Sequence, residues 1–477
     1  MAHIVPVYKK DSKTNVENYR PISLTSLVMK IFEKCIHNHL MKITEGKINP
    51  AQHGFLPGKS CLTQLIPFVD DLVLNMHRKS ITDVIYFDFA KAFDSVSHDI
   101  ILQKLKLQYQ VDGLLLKFLK NYLEDRKQLV VVDGEQSNVL PVLSGIPQGS
   151  ILGPLLFVLF INDMNDVVSN NTNIALYADD TKIWREIITF EDHLILQNDI
   201  KALFEWSVLN KMKFHPKKCK VLQVTLKLER FMYALPFSRF TYHINNEILN
   251  YTSCEKDLGV FVHEKLKWNN HCISLTKKAN QQLGLLRRTL FFTKNSSKRR
   301  VFYISIVRSI FEHCSHVWKP TNNTFLSNME KLQRRAVKWI LGEQFDHYTI
   351  IEYNRKLKEL DLMPLEMKMK FSDLLLFYKI VNNLSPLKLP TYITPINPTQ
   401  RSNTRASTKA LLVNDTLLYE CTLKPTPTLT AFVNSYFFRT HNHWNNLPLI
   451  VRQCCTFLSF KIELKKFLWL TLSEGID

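Results

Sequence analysis

Acidic residues are the scarce charge in this sequence: 43 Asp and Glu stand against 62 Lys and Arg, giving a net charge of +19 and a pI near 9.4. An excess of that size points to a polyanionic partner, most often nucleic acid, with a generally basic soluble protein as the alternative that charge alone leaves open. The nine cysteines contain no CxxC pair, and Cys454 and Cys455 are adjacent. That excludes a disulfide framework and implies reduced thiols in an intracellular protein. His313-Cys314-Ser315-His316 and His271-Cys272 have no common zinc spacing and read as buried structural residues. The opening MAHIVPVYKK lacks an apolar core of signal-peptide length. The most apolar run, Ile151 to Ile161, is only about half a membrane span and contains Gly153 and Pro154, so no membrane partner is expected. There is no internal repeat.

What is present is ordinary globular composition, 45% hydrophobic and 22% charged, over 477 residues. That length suits about two to four folding units. A helix is expected near Ser26–Lys42 and a buried strand at 81–88, from its β-branched and aromatic run. Helical patterns follow at Asp99–Gln110, Leu114–Asp125, 150–164 and Asp192–Lys211. Gln128–Val132 ends in Asp133-Gly134, a hairpin signal. Ile174–Trp184 reads as a second hairpin with Asp179-Asp180 at its tip, and 219–226 and 240–262 are strand-rich. Beyond about residue 272 glycine thins out and amphipathic helical patterns run to about 385. The Pro-, Thr-, Ser- and Asn-rich stretch 390–409 reads as an exposed linker, and Thr456–Leu472 as one helix.

Asp88 closes a strand and Asp179-Asp180 occupy a hairpin tip, so one sheet can bring the three carboxylates together. Acids that close repel unless cations neutralise them, and hard oxygen ligands suit Mg²⁺. Two such ions about 3.5–4 Å apart serve in-line phosphoryl transfer. Solvated turn residues and a helix cap remain the alternative for any single member.

The surrounding wording resembles the polymerase motifs of reverse transcriptases, in order: YFDFAKAFDSVSH (86–98), SGIPQGSILGPLLF (144–157), YADD (177–180), NKMKFHPKKCKVL (210–222) and DLGVFV (257–262). Upstream, NYRPISL (18–24) and QHGFLPGKS (52–60) resemble fingers motifs of non-LTR (LINE-type) retrotransposon enzymes, in wording nearest the jockey and chicken-repeat groups. The resemblance extends to HNHWNNLP (441–448) and covers nearly the whole chain. It implies an α+β right-hand polymerase with fingers, a palm built on an antiparallel sheet, a helical thumb and a mainly helical C-terminal region. The expected division is 1–80 fingers, N-terminally incomplete; 81–270 palm with interleaved fingers elements; 271–389 basic helical thumb; 390–409 linker; and 410–477 a C-terminal region without an assigned role. The endonuclease that autonomous relatives carry ahead of the polymerase is not in the chain, which implies a separate endonuclease or a pre-existing nick.

The implied activity is RNA-directed DNA synthesis from a DNA primer on an RNA template with dNTPs and two Mg²⁺ ions. Two alternatives stand beside it: a catalytically inactive remnant that binds RNA through its basic thumb, and a viral RNA-dependent RNA polymerase. The second is disfavoured by Phe93 and by YADD in place of a Gly-Asp-Asp motif. By the resemblance Asp88, Asp179 and Asp180 hold metal, and the carbonyl of Phe89 completes one shell. Phe93 lies beneath the sugar and excludes a 2′-hydroxyl; Asp94, one residue on, is a structural partner. Gln148 and Gly149 line the nucleotide pocket before a helix N-terminus that favours phosphate. Arg20 grips the triphosphate with help from Lys9 or Lys10, and Lys218 protonates the leaving pyrophosphate, with Lys217 and Lys220 as rivals. Lys277, Lys278, Arg287, Arg288, Arg299 and Arg300 lie in an acid-free run at 277–300 and would track the nucleic-acid backbone. Leu56 and His263 depart from what most relatives carry.

Overall fold

The computed structural model describes residues 2–9, 11–226, 239–343, 348–396, 417–423 and 430–474. They divide into two units, 1–64 with 80–253 and 65–79 with 254–477.

The first unit holds two five-stranded sheets. In one, β1 (Ala2–Tyr8) and β2 (Tyr19–Leu24) form an antiparallel hairpin with Val7 opposite Arg20. β4 (Lys127–Val132) adds parallel to β1, and the short β5 (Glu135–Gln136) and β6 (Leu140–Pro141) pair with β4. Asp133 and Gly134, both at positive φ (50° and 89°), make the tight turn that their sequence signals. The second sheet has β3 (Ile81–Phe87) at its centre. Six of its seven residues are buried, as a strand covered on both faces requires. It pairs antiparallel with β8 (Asp180–Ile187) and β9 (Lys220–Val224); β7 (Asn173–Tyr177) extends the β8 side. A minimal hairpin, β10 (His243–Ile244) and β11 (Glu247–Ile248), precedes β12 (Asn250–Thr252), which lies parallel to β9 at the sheet edge.

The helices of this unit are α1 (Leu27–Ile43), the first turn of α2 (Cys61–His77), α3 (Ala92–Ser95), α4 (His98–Leu107), α5 (Gly113–Leu123), α6 (Leu152–Ile161) and α7 (Phe190–Leu209). Nine of the ten α6 residues are buried. The long apolar run is therefore the helix at the heart of the core, apolar all round because protein surrounds it. Its N-terminus is held by a residue that the sequence did not single out. Glu33 of α1 is fully buried; its Oε2 accepts from the N–H groups of Ile151 (2.6 Å) and Leu152 (3.3 Å), and its Oε1 from the Tyr122 hydroxyl (3.0 Å).

The second unit opens on the hairpin β13 (Cys254–Asp257) and β14 (Val260–His263), turned by Leu258-Gly259 at φ 46° and 89°. His313 donates to the Leu258 carbonyl, and its ring lies against Gly259; His271, Cys272, Cys314 and His316 are buried. No group of three metal-binding side chains forms among the described residues. Helices α8 (Asn269–Thr289), α9 (Ser296–Phe302), Asn323–Leu341 and Leu365–Val381 follow. The last packs with Tyr436–Asn445 and Phe457–Glu474 around Trp444, Phe377 and Phe460. Arg439 binds Asp373 in a buried two-pronged ion pair (3.0 and 3.2 Å) and also donates to the His316 carbonyl. Of the expected linker, residues 397–409 lie outside the described residues. Ile393–Pro395 instead forms a strand paired with Tyr419–Cys421. No described helix is long and apolar enough to cross a membrane.

Asp70, on the part of α2 that belongs to this unit, accepts a hydrogen bond from Tyr392 (2.5 Å), yet burial pushes its carboxyl up to about 7. A raised folded-state value means the folded chain holds the extra proton, so stability is fully present below the unfolded pKa, near 4, and falls as pH rises to 7. Across that window the loss should approach about 4 kcal/mol. Thermal melts from pH 4 to 7 should show the decline in the parent and a flatter profile in Asp70→Asn; equal slopes would contradict this.

Candidate active site

The register of β3 and β8 runs from Ile81↔Ile187 to Phe87↔Thr181, so one step further stand Asp88 and Asp180. Past β3 the backbone is pinned by the segment 213–215: Ala90 N–H donates to the Lys213 carbonyl (2.8 Å), and His215 N–H to the Asp88 carbonyl (2.7 Å). Phe89 is buried, its ring stacked on Phe214 at 4.4 Å, so its side chain belongs to the core. Asp88 Oδ2 is itself buried and accepts no hydrogen bond; the Lys218 ammonium approaches it at 3.2 Å. That distance sets Lys218 apart from its sequence rivals: Lys217 is exposed, and Lys220 is on β9 opposite Tyr86.

Tyr177 and Asp180 pair across β7 and β8, leaving Ala178 and Asp179 as the turn, with Ala178 at φ 54°. Burial raises the Asp179 carboxyl above its ordinary range, and the charge of Asp88 raises it further. Its own backbone N–H, Lys9 and Arg20 act in the opposite sense. The two acids thus share one electrostatic site with two fingers cations. Asp180 is exposed at the start of β8, and among the described residues no three acidic, His or Cys side chains converge as a preformed cage. A buried carboxylate oxygen with the Lys218 ammonium against it, beside a second, repelled carboxyl, fits a divalent cation that takes its remaining oxygens from water and substrate, as Mg²⁺ does.

Lys9 and Arg20 are both exposed, at the same end of the β1–β2 hairpin, where Lys9 N–H bonds the Asn18 carbonyl. Lys10 lies outside the described residues. Phe93, on α3, is half-buried, stacked on Phe157 at 4.4 Å and edge-on to Phe55 at 6.1 Å, a ring held rigid with one part still open. One expectation for the Pro-Gln-Gly turn needs correction: the first N–H groups of α6 are not free for phosphate, because Glu33 already fills them with a carboxylate. Gly149, at φ +107°, presses its backbone against β2, where a Cβ would lie 2.8 Å from the Ser23 carbonyl oxygen. Gln148 stays half-buried, its Nε2 donating to Asp94 Oδ1 (2.9 Å).

A second support lies in the segment QHGFLPGKS, where nothing local in the wording signals it. Residues 51–53 run alongside β7: His53 N–H donates to the Leu176 carbonyl (2.8 Å), and Leu176 N–H to the Ala51 carbonyl (3.0 Å). Gln52, fully buried, accepts at Oε1 from Gly54 N–H (2.6 Å) and from Ala178 N–H (3.0 Å), inside the turn that carries Asp179. A Cβ on Gly54 would overlap the Ala178 nitrogen.

In the second unit Lys277, Lys278, Arg287 and Arg288 are exposed on α8; Lys277 and Arg288, eleven residues apart, recur after about three turns. Arg299 and Arg300 differ from expectation. Arg299 is buried, donating to the Trp339 carbonyl (2.6 Å) with its guanidinium over that ring, while Arg300 hydrogen-bonds the Leu360 and Asp361 carbonyls. Both join helices, because a long cationic stem can bury its chain while its head finds backbone acceptors. Neutralising the four exposed α8 cations should therefore flatten the slope of log affinity against log salt by about 2–4 units, at roughly 0.7–0.9 per phosphate contact. Titration by anisotropy against an RNA–DNA duplex checks this; an unchanged slope would place the nucleic acid elsewhere.

Residues 7–254, more than half the chain, match the family described as "Reverse transcriptase (RNA-dependent DNA polymerase)". The chain is 29% identical to the probable RNA-directed DNA polymerase from transposon BS of Drosophila melanogaster, over 71% of this chain and 38% of that protein. It is 26% identical to the RNA-directed DNA polymerase from mobile element jockey of the same fly, over 72% of this chain and 37% of the relative. It thus spans less than two fifths of the length of these relatives. Among solved structures, a telomerase from Candida albicans in complex with a fragment of telomeric RNA aligns over 77% of this chain and 58% of its own, at 9% identity and a TM-score of 0.41. On the match to residues 7–254, the chain belongs to the reverse transcriptase family.

Proposed function

We propose that this chain extends the 3′-hydroxyl of a DNA primer on an RNA template with dNTPs, by two-metal nucleotidyl transfer. The observation that carries this is the Asp88–Asp179 pair: two carboxylates from a strand end and a hairpin tip, one with a buried oxygen facing the Lys218 ammonium, the other with its pKa raised by burial and by its neighbour. Asp88, Asp179, Asp180 and the Phe89 carbonyl would hold two Mg²⁺ ions, which when bound acidify the attacking hydroxyl and offset charge on the leaving pyrophosphate. The chain's own residues do the rest. Arg20 and Lys9, whose charges already reach Asp179, hold the triphosphate. The attacking oxygen gives up its proton to solvent and forms the new bond to the α-phosphorus as the bond to pyrophosphate breaks, and Lys218 supplies the proton that pyrophosphate takes up, to be reprotonated from solvent. The exposed α8 cations grip the duplex backbone.

Single-nucleotide extension on an RNA template with and without Mg²⁺ tests the reading; a folded parent that extends nothing would remove it. A separate prediction concerns the sugar. Phe93→Ala should relax discrimination against rNTPs by about one to two orders of magnitude, since the ring's bulk rejects the 2′-hydroxyl. Competitive dNTP/rNTP incorporation measures it, and unchanged discrimination would free Phe93 from this role.

A further inference from the structure

Asp94 sits in a clasp between residues 93–98 and the loop 144–148. Gly145 N–H donates to the Val96 carbonyl (2.8 Å), Ile146 N–H to the Phe93 carbonyl (2.8 Å), the Ser144 hydroxyl to the Asp94 carbonyl (2.9 Å), and the His98 imidazole to the Gly145 carbonyl (2.8 Å). Gly145 is at φ +89°, and a Cβ there would lie 2.8 Å from Asp94 Cα, so the two backbones touch. Inside this clasp, Gln148 Nε2 donates to Asp94 Oδ1 at 2.9 Å.

We propose that Asp94 is a positioning residue that fixes which edge of the Gln148 amide faces the nucleotide. An ionised carboxylate only accepts hydrogen bonds. Gln148 must therefore turn its NH₂ toward Asp94, which puts the amide oxygen on the opposite edge of the planar group. The amide has a definite hand because of the residue at 94, independently of how alike its two ends are in shape. An Asn at 94 offers both a donor and an acceptor, so either hand finds a partner and the preference is lost. Asp94 itself touches no reacting atom; it acts through Gln148. The inference rests on the polymerase reading, in which Gln148 lines the nucleotide pocket.

The test is steady-state single-nucleotide incorporation by the parent, Asp94→Asn, Asp94→Glu, Gln148→Met and the double variant Asp94→Asn/Gln148→Met. Asp94→Asn should raise KM for the dNTP about tenfold, the size of one hydrogen bond, with kcat lowered less than about threefold. Asp94→Glu keeps acceptor-only chemistry and should stay within about threefold of the parental KM. On the Gln148→Met background Asp94→Asn should add nothing, because the amide it orients is gone. A purely structural role would persist on that background and appear as a lower Tm. A parental KM in Asp94→Asn, an Asp94→Glu as impaired as Asp94→Asn, or additive losses in the double variant would overturn the inference while leaving the polymerase reading intact. A folded parent that incorporates nothing would overturn both.

Discussion

Asp179→Asn should cost three to four orders of magnitude in primer extension and yet make the metal-free protein more stable. The activity loss follows from removing a charged ligand of the proposed ion pair, where charge stabilisation worth about 4–5.5 kcal/mol is at stake. The stability gain follows from the sign of the pKa shift. Burial and the charge of Asp88 both oppose ionisation of Asp179, so the folded chain favours its neutral form. A group raised in this way stabilises the fold at low pH and loses that contribution as pH climbs through its folded value. At neutral pH it is therefore a burden, which asparagine lifts. Added Mg²⁺ should raise the Tm of the parent, because a ligand that binds only the folded state stabilises it, and should raise that of Asp179→Asn much less. A lower Tm for the variant without Mg²⁺ would mean that Asp179 is not held against its charge.

Gly54→Ala should lower extension about a hundredfold, the cost of displacing catalytic groups by about an ångström. Gly54 lies against the turn that carries Asp179, and the added methyl would overlap the Ala178 nitrogen and come within 3.0 Å of the Tyr177 carbonyl carbon. Backbone cannot yield as a flexible side chain would. The Gln52 amide oxygen that joins Gly54 N–H to Ala178 N–H would be displaced with it. Overpacking should cost only about 1–3 kcal/mol of stability, so the activity loss should far exceed the unfolded fraction. Gly46→Ala is the control: it has positive φ (+74°) but nothing within 4 Å of a Cβ. It should cost roughly 1 kcal/mol of stability and leave extension unchanged. Equal effects of the two variants would remove Gly54 from any role in aligning the turn.

Much of the palm was legible because its signals are local. The β-branched and aromatic run before Asp88, the turn residues at 133–134 and the alternation around Asp179 each specify a strand or turn without reference to distant residues. Asp88 and Asp179 could be placed at a strand end and in a turn for the same reason. What the sequence concealed was made by long-range partners. Glu33 reads as one charge on an amphipathic helix; nothing local says that Ile151 and Leu152 are its hydrogen-bond donors. Gly149 could be seen to permit a close approach but not one to Ser23, and nothing in the wording around Gly54 marks its contact with Ala178. Arg299 stands in an acid-free cationic run yet is buried against Trp339, forty residues on. Charge pattern alone could not distinguish it from Arg287 and Arg288, which remain exposed.

The most direct measurement is the rate of single-nucleotide addition to a DNA primer annealed to RNA, with Mg²⁺ and one complementary dNTP. It should be made on the parent and on Asp179→Asn at matched folded concentration. Addition by the parent and a loss of about three orders of magnitude or more in the variant is the predicted result. Equal rates in the two, or no addition by a folded parent, would contradict it.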